Sequence, residues 1–277
     1  MMTLSPYSRI AVASTFSPRF VQVLSEAKRI RDRFSCDLHL IFVGERNDAT
    51  VAKFRDALAQ LSLPEDSVIH YAQGDPASAI LRASADHKID MIVAGALEKE
   101  VVLHQFLGNV ARRLVRDATC SVMLFTRPEA EPQPMRRIVF VADQSYSEHA
   151  REALKKTLRL AAAEGCERLY VIRIFTTFDE VRASRQGHIG EGEKRKTLDD
   201  EEIALEKFIL STGETEVPVE ARCIRGNTGF AASDFVHSVE ANLLVVPVQP
   251  AIDGDDSLPS NIAWITDVIP CNLWVIR

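Results

Sequence analysis

Cysteine is scarce in this chain: there are five among 277 residues, an odd number, with no Cys-x-x-Cys pair. That pattern excludes a disulfide-stapled scaffold and a thioredoxin-type redox motif, and a reduced, cytoplasmic protein is expected. No apolar run approaches the roughly 18 residues of a bilayer span, so no membrane contact is expected either. The opening Met-Met-Thr-Leu-Ser-Pro-Tyr-Ser-Arg has no basic stretch followed by an apolar one and reads as no secretory signal. Positive charge is nowhere in excess. Residues 1–135 hold 16 basic and 16 acidic side chains, residues 136–277 hold 17 and 23, and the net charge is −6. A nucleic-acid-binding surface is therefore not expected.

Catalytic signatures are missing as well. The seven histidines are scattered, with no His-x-x-x-His and no Cys/His cluster, so no dedicated metal site is read. Ser17 and Ser145 sit in no Gly-x-Ser-x-Gly elbow. Gly190 to Thr197 nearly spells a Walker A loop, but Arg195 occupies the essential glycine and no strand leads into it. No acid/base pair or nucleophile is placed with its partners, and the chain reads as non-enzymatic.

What is present is a regular alternation of short apolar runs and amphipathic stretches. Arg9 to Ser14 reads as a strand. Phe20, Val21, Leu24, Ala27, Ile30 and Phe34 recur at helical spacing, which predicts a helix over 18–34 with Ser17 as N-cap and Pro18 in its first turn. Strands at 37–43, 67–71, 90–95 and 121–126 alternate with helices at 51–61, from a cap at Asp75 or Ser78 through Lys88, and at 109–117. This order predicts an α/β domain with a doubly wound parallel sheet and a ligand crevice at the carboxyl ends of its strands. Asp90-Met91-Ile92-Val93-Ala94-Gly95 is the central strand, and Leu107-Gly108-Asn109-Val110-Ala111 opens a helix whose first N–H groups could face a small anion.

The pattern then repeats. Gly95 falls on Pro247, Glu98 on Pro250, Gly108 on Ser260, Asn109 on Asn261 and Ala111 on Ala263, while Gly74 falls on Gly226. Ile10-Ala11-Val12-Ala13 matches Ile138-Val139-Phe140-Val141. A repeat of this length is a whole domain, so two tandem domains are expected at 1–130 and 131–277. The linker falls at about 127–135, and a charged, glycine-containing insert, a loop or a helix extension, at about 176–199. In the second domain a helix is expected at 148–164 and a strand at 168–175.

The Ile-x-Val-Ala-x-x-Phe-Ser of residues 10–17, Gly-Asp-Pro at 74–76, Asp-Met-Ile-Val-Ala-Gly at 90–95 and Leu-Gly-Asn-Val-Ala at 107–111 resemble the universal stress protein family, as a tandem two-domain member. The resemblance implies two Rossmann-like domains of the adenine nucleotide alpha hydrolase type. It also implies an internal pseudo-dimer, or a homodimer, with strands 121–126 and 272–276 as natural edge partners. The family's nucleotide signature is Gly, two residues, Gly, nine residues, Gly, then Ser, Thr or Asn. The first domain offers Gly95, Glu98, Gly108 and Asn109 at every spacing, and the second offers Pro247, Pro250, Ser260 and Asn261, with every glycine lost. By resemblance, Thr15, Val43, Gly95, Gly108, Asn109 and Val110 would contact ATP in the first domain. In the second, Asp143 matches the family's adenosine-binding Asp, a position that is Thr15 in the first. Glu98 sets a carboxylate beside the phosphates, and prolines offer no N–H to them.

The residues themselves leave other readings for these positions: Gly95 and Gly108 as a turn and a tight helix start, Asp143 as a cap or turn residue. Three functions follow. The first is a non-catalytic stress-response or regulatory module with degenerate nucleotide sites, acting on unknown protein partners. The second is an ATP-binding switch in the first domain, slow hydrolysis included. The third is a binder of a non-nucleotide small molecule, with Pro247, Pro250 and Trp264 making the second crevice apolar.

Overall fold

The computed structural model describes residues 5–14, 16–96, 107–143, 145–175, 197–226, 228–249 and 269–277. These divide into two compact units, 5–133 together with 269–277, and 134–249.

The first unit runs β1 (Arg9–Ser14), α1 (Phe20–Phe34), β2 (Asp37–Val43), α2 (Asp48–Gln60), β3 (Ile69–Ala72), α3 (Pro76–Asp86), β4 (Met91–Gly95), α4 (Asn109–Asp117) and β5 (Ser121–Phe125). Its sheet has the order β3-β2-β1-β4-β5, all parallel. The apolar runs predicted as strands are buried on both faces, as a parallel sheet covered by helices requires; Ile10, Ala11, Met91, Ile92, Val122 and Met123 are wholly inaccessible. A sixth strand, β10 (Asn272–Ile276), pairs antiparallel with β5, Trp274 opposite Met123. Trp274 lies 6.2 Å from the Tyr7 ring and 5.8 Å from Phe34, and Asn272 Oδ1 accepts a hydrogen bond from Thr126 N at 3.0 Å.

The second unit runs β6 (Arg137–Val141), α5 (Glu148–Glu164), β7 (Arg168–Phe175), α6 (Leu198–Leu210), β8 (Val219–Arg225), α7 (Thr228–Ser238) and β9 (Leu243–Pro247), with the parallel order β9-β6-β7-β8. The duplication is visible in backbone detail. Asp90 accepts from the Arg9 N–H at 2.9 Å, and Asn242, its counterpart, accepts from the Arg137 N–H at 2.9 Å. Lys88 and Glu240, two residues before each, both take a left-handed conformation (φ 52° and 47°). Two mostly parallel, Rossmann-like α/β units thus follow one another in the chain.

Some boundaries differ from the sequence reading. The first helix starts at Phe20, with Arg19 at the N-cap; Ser17 instead gives its carbonyl to the Phe20 N–H, because Pro18 turns the chain before the helix begins. The second helix starts at Asp48, since Asn47 and Thr50 form a reciprocal capping box. Asp75 caps α3 by accepting from the Ser78 N–H at 3.1 Å. The charged insert lies outside the described residues up to 196; Thr197 then caps α6.

Candidate functional site

In a parallel sheet of order 3-2-1-4-5 the helices after β1 and β4 leave in opposite senses, and a crevice opens between the carboxyl ends of those strands. The first unit has a cleft of about 560 Å³ at that point, lined by Ala13 at the end of β1 and by Ala94, Gly95 and Ala96 at the end of β4. Its walls come from α1 (Phe20, Val23), α3 (Pro76, Ile80) and α4 (Val110, Ala111, Leu114), with Phe125 at the end of β5.

Four of the residues singled out from the sequence, Val43, Gly95, Gly108 and Val110, line this one cleft. Asn109 is the first residue of α4 and is exposed, but it is not part of the lining. Thr15 and Glu98 lie outside the described residues. Asp143 belongs to the second unit. There its carboxylate accepts from the Ser147 N–H at 3.1 Å and the Ser147 hydroxyl at 2.6 Å, while Ser147 caps α5. Pro247 ends β9 and is buried, and its expected companions Pro250, Ser260, Asn261 and Trp264 are outside the described residues.

The two lining glycines act through different means. A Cβ built on Gly95 would sit 3.3 Å from Val23 Cγ2, so the missing side chain lets α1 close onto β4. Gly108 is the N-cap of α4 and offers no side-chain cap. Its N–H is not free for an anion, as the sequence reading assumed; it donates to the Ala96 carbonyl at 3.0 Å, while the Ala96 N–H donates to Phe125 O at 2.9 Å. The end of β4 and the start of α4 are thereby tied together. The donors without an intrahelical acceptor at this helix start are those of Asn109, Val110 and Ala111.

Behind the cleft stands a packed aromatic group. Phe20 contacts Phe54 at 5.7 Å, and Phe16 lies 4.8 Å from Phe54 and 4.9 Å from Phe42. Outside it, Arg113 of α4 pairs with Asp75 at 2.5 Å and donates to the Ser78 hydroxyl at 2.8 Å, fastening α4 to the start of α3. The Ser78 hydroxyl and N–H and the Arg113 guanidinium hold the Asp75 carboxyl down at about 2.

For a nucleoside triphosphate this lining fits in part. The apolar walls suit a planar base, and α4 points its positive end inward. Among the described lining residues, however, no carboxylate is available to ribose hydroxyls, and Arg19 is the one cation.

Two polar groupings could not be seen in the sequence. His39 Nδ1 and His70 Nε2 meet at 2.9 Å across β2 and β3, and the His87 ring stacks on His70 at 3.6 Å. Burial, then the neighbouring Arg9, lowers the pKa of His39; burial and the other two rings lower that of His70 to about 4. Three of the seven scattered histidines are thus gathered in the fold, although no group of three or more His, Cys, Asp or Glu among the described residues could hold a metal ion. In the second unit Arg173 and Glu201 form a buried ion pair at 3.0 Å, and the Tyr146 hydroxyl donates to Glu201 at 2.8 Å. Burial and the Glu201 carboxylate push the Tyr146 phenol upward. None of the described helices is long and apolar enough to cross a membrane.

Residues 6–126 match the universal stress protein family model. The universal stress protein in the QAH/OAS sulfhydrylase 3′ region of Thermus aquaticus is 36% identical over 69 residues, which are 25% of this chain and 50% of that relative. The chain therefore spans about half the length of the curated relative it matches. Among solved structures, a functionally unknown protein from Pseudomonas aeruginosa PAO1 superimposes with a TM-score of 0.70 at 16% identity, covering 99% of this chain and 93% of its own. A universal stress protein from Archaeoglobus fulgidus gives 0.68 at 14% identity, covering 97% and 98%. At such identities these two likenesses speak for the fold of the whole chain. Over residues 6–126 the chain is thus similar to the universal stress protein family.

Proposed function

We propose that the protein is a non-catalytic regulatory module of the stress response, built as two domains at 1–130 and 131–277, which takes a small ligand in the cleft of the first. The observation that carries this reading is the cleft itself. It lies at the switch point of the first sheet, and its described lining contains no couple of acid and base and no activated nucleophile. The module acts in the cytoplasm through protein contacts that ligand occupancy alters.

A second reading, favoured by the open start of α4 and the apolar slot beside it, is an ATP-binding switch in the first domain. Native mass spectrometry of the purified protein, with calorimetric titration of ATP, separates the two. Micromolar ATP at one site per chain, tightened by Glu98→Gly and abolished by Gly108→Asp, supports the switch. No heat at millimolar ATP removes it and leaves the first reading with another ligand.

A further inference from the structure

The outer edge of the second unit's sheet is open. β8 ends its strand order and is seven residues long, with none of them buried. Two bonds at its ends fix its inner side: the Leu169 N–H donates to Pro218 O at 2.9 Å and the Gly226 N–H to Phe175 O at 3.2 Å, with unbroken register between them. In a parallel ladder alternate residues turn both backbone groups to the same neighbour, so those of Glu220, Arg222 and Ile224 go to β7. Val219, Ala221 and Cys223 therefore turn their N–H and C=O groups outward, where no described residue bonds to them. The corresponding edge of the first unit, β3, is four residues long and turns only Ile69 and Tyr71 outward. A short strand is one of the ways in which proteins blunt an edge. The edge that the sequence offered to a homodimer, that of β5, is already covered by β10 of the same chain.

We propose that β8 is a self-association edge, to which β8 of a second copy of this chain adds as an antiparallel strand about a two-fold axis at Ala221. Charge selects both the occupant and the register. A two-fold at Glu220 would set that carboxylate against its own copy, and one at Arg222 would set guanidinium against guanidinium; like charges directly opposite are unfavourable. A two-fold at Cys223 would leave Glu220 facing Gly226, with no charge to meet. At Ala221, Glu220 faces Arg222 of the second copy, and the symmetry makes the same pair again. The backbone agrees. Ala221 then opposes its own copy and Val219 opposes Cys223, all outward-turned residues that exchange two hydrogen bonds in each pair. Within the chain Glu220 already accepts from Arg222 at 2.6 Å and from Arg168 at 3.3 Å. The Arg222 side chain is 58% exposed, and a change of rotamer carries it from its own Glu220 to that of the copy, so neither charge loses a partner. Strand addition alone covers less than the roughly 1,000 Å² of a lasting interface. The dimer is therefore reversible, grows with protein concentration and weakens with salt.

Sedimentation velocity of the full chain from about 1 μM to 1 mM, the span of weak association, reads the monomer–dimer equilibrium. A dimer is expected to grow in over that range. Ala221→Pro removes an outward N–H and leaves the bonds to β7 in place, since proline is tolerated on the open side of an edge strand. That variant should stay monomeric throughout, with the far-UV circular dichroism of the parent. Glu220→Arg sets arginine against arginine and should raise the dimer Kd about tenfold or more. Adding Arg222→Glu reverses the pair and should recover most of that loss. A parent that stays monomeric to about 1 mM overturns the inference. So does a dimer that persists in Ala221→Pro or is untouched by Glu220→Arg, because its interface then lies elsewhere. If Ala221→Pro loses the circular dichroism of the parent, the charge variants decide: a dimer lost by the single change and not recovered by the double one overturns the two-fold at Ala221. Growth past two copies would overturn it as well, since an isologous edge pair closes at the dimer.

Discussion

Arg113 and Asp75 join two helices that both contribute to one cleft wall: the guanidinium of α4 meets the carboxylate that caps α3, at 2.5 Å. The pair is exposed, so its contribution to global stability is small and falls with salt. Its effect is on position, since Pro76 and Ile80 of α3 and Val110 and Leu114 of α4 face the same space. Arg113→Ala is expected to weaken ligand binding in the cleft with little change in Tm. Asp75→Ala should lower Tm more than Arg113→Ala does, because it also removes the α3 cap. Parallel thermal melts and ligand titrations of the two variants check this. The Asp75 carboxyl is held at about 2, below the 3.8 of an unperturbed Asp, so its stabilisation is present at neutral pH and is lost as pH falls through about 2.

The histidine group predicts a loss in the same direction but at higher pH. Folding lowers the His70 pKa from 6.5 to about 4, so the unfolded chain takes up a proton first as pH falls. Stability should therefore decline between about pH 6.5 and 4, on the order of 1 kcal/mol once solvent screening of this half-exposed group is allowed for. His70→Gln should flatten that part of the pH–Tm curve. A parent protein whose Tm is constant from pH 7 to 4.5 would contradict this.

The Arg173–Glu201 pair should behave as a unit. Arg173→Met leaves a buried carboxylate without its guanidinium and is expected to cost about 3–5 kcal/mol. The double variant with Glu201→Leu should recover much of that loss, and Tyr146→Phe should cost about 1 kcal/mol. Urea titrations of the parent, the single variants Arg173→Met and Glu201→Leu, and the double variant form the cycle. Additive single losses would mean that the two side chains do not depend on one another.

Trp274 fills the space against Tyr7 and Phe34 and is wholly buried. Trp274→Ala is expected to cost about 3–5 kcal/mol. Hydrogen exchange should show the loss of protection in β5 and β1.

Most of the fold was legible because its signals are local. The helix at 148–164 and the strand at 168–175 stand where periodicity puts them, since each carries its apolar pattern, and α5 also its cap, within its own residues. The start of α2 was missed because its capping box uses Asn47 and Thr50 instead of a Ser/Thr with Glu. The start of α1 was misplaced because Pro18 fits a turn before a helix as well as the first turn within one. For the site, the family resemblance singled out Val43, Gly95, Gly108 and Val110, and they line one cleft because strand ends in this topology converge on one crevice. It could not show that the Gly108 N–H is consumed by Ala96, nor that His39, His70 and His87 meet, nor that Arg113 reaches Asp75 across 38 positions. Those depend on how separate elements are placed side by side, which no single stretch of sequence records.

Synthesis runs from one end of the chain to the other, and β10 comes late. When β5 leaves the ribosome, the antiparallel partner that will cover its outer edge does not yet exist, and the whole second unit must be translated first. At roughly 5–20 residues per second that interval is about 7–30 s. Throughout it, the nascent first unit exposes an unpaired, mostly apolar strand edge and the vacant place of an indole beside Tyr7 and Phe34. A chaperone that shields strand edges would find its binding window there, and it would close when residues 272–276 dock.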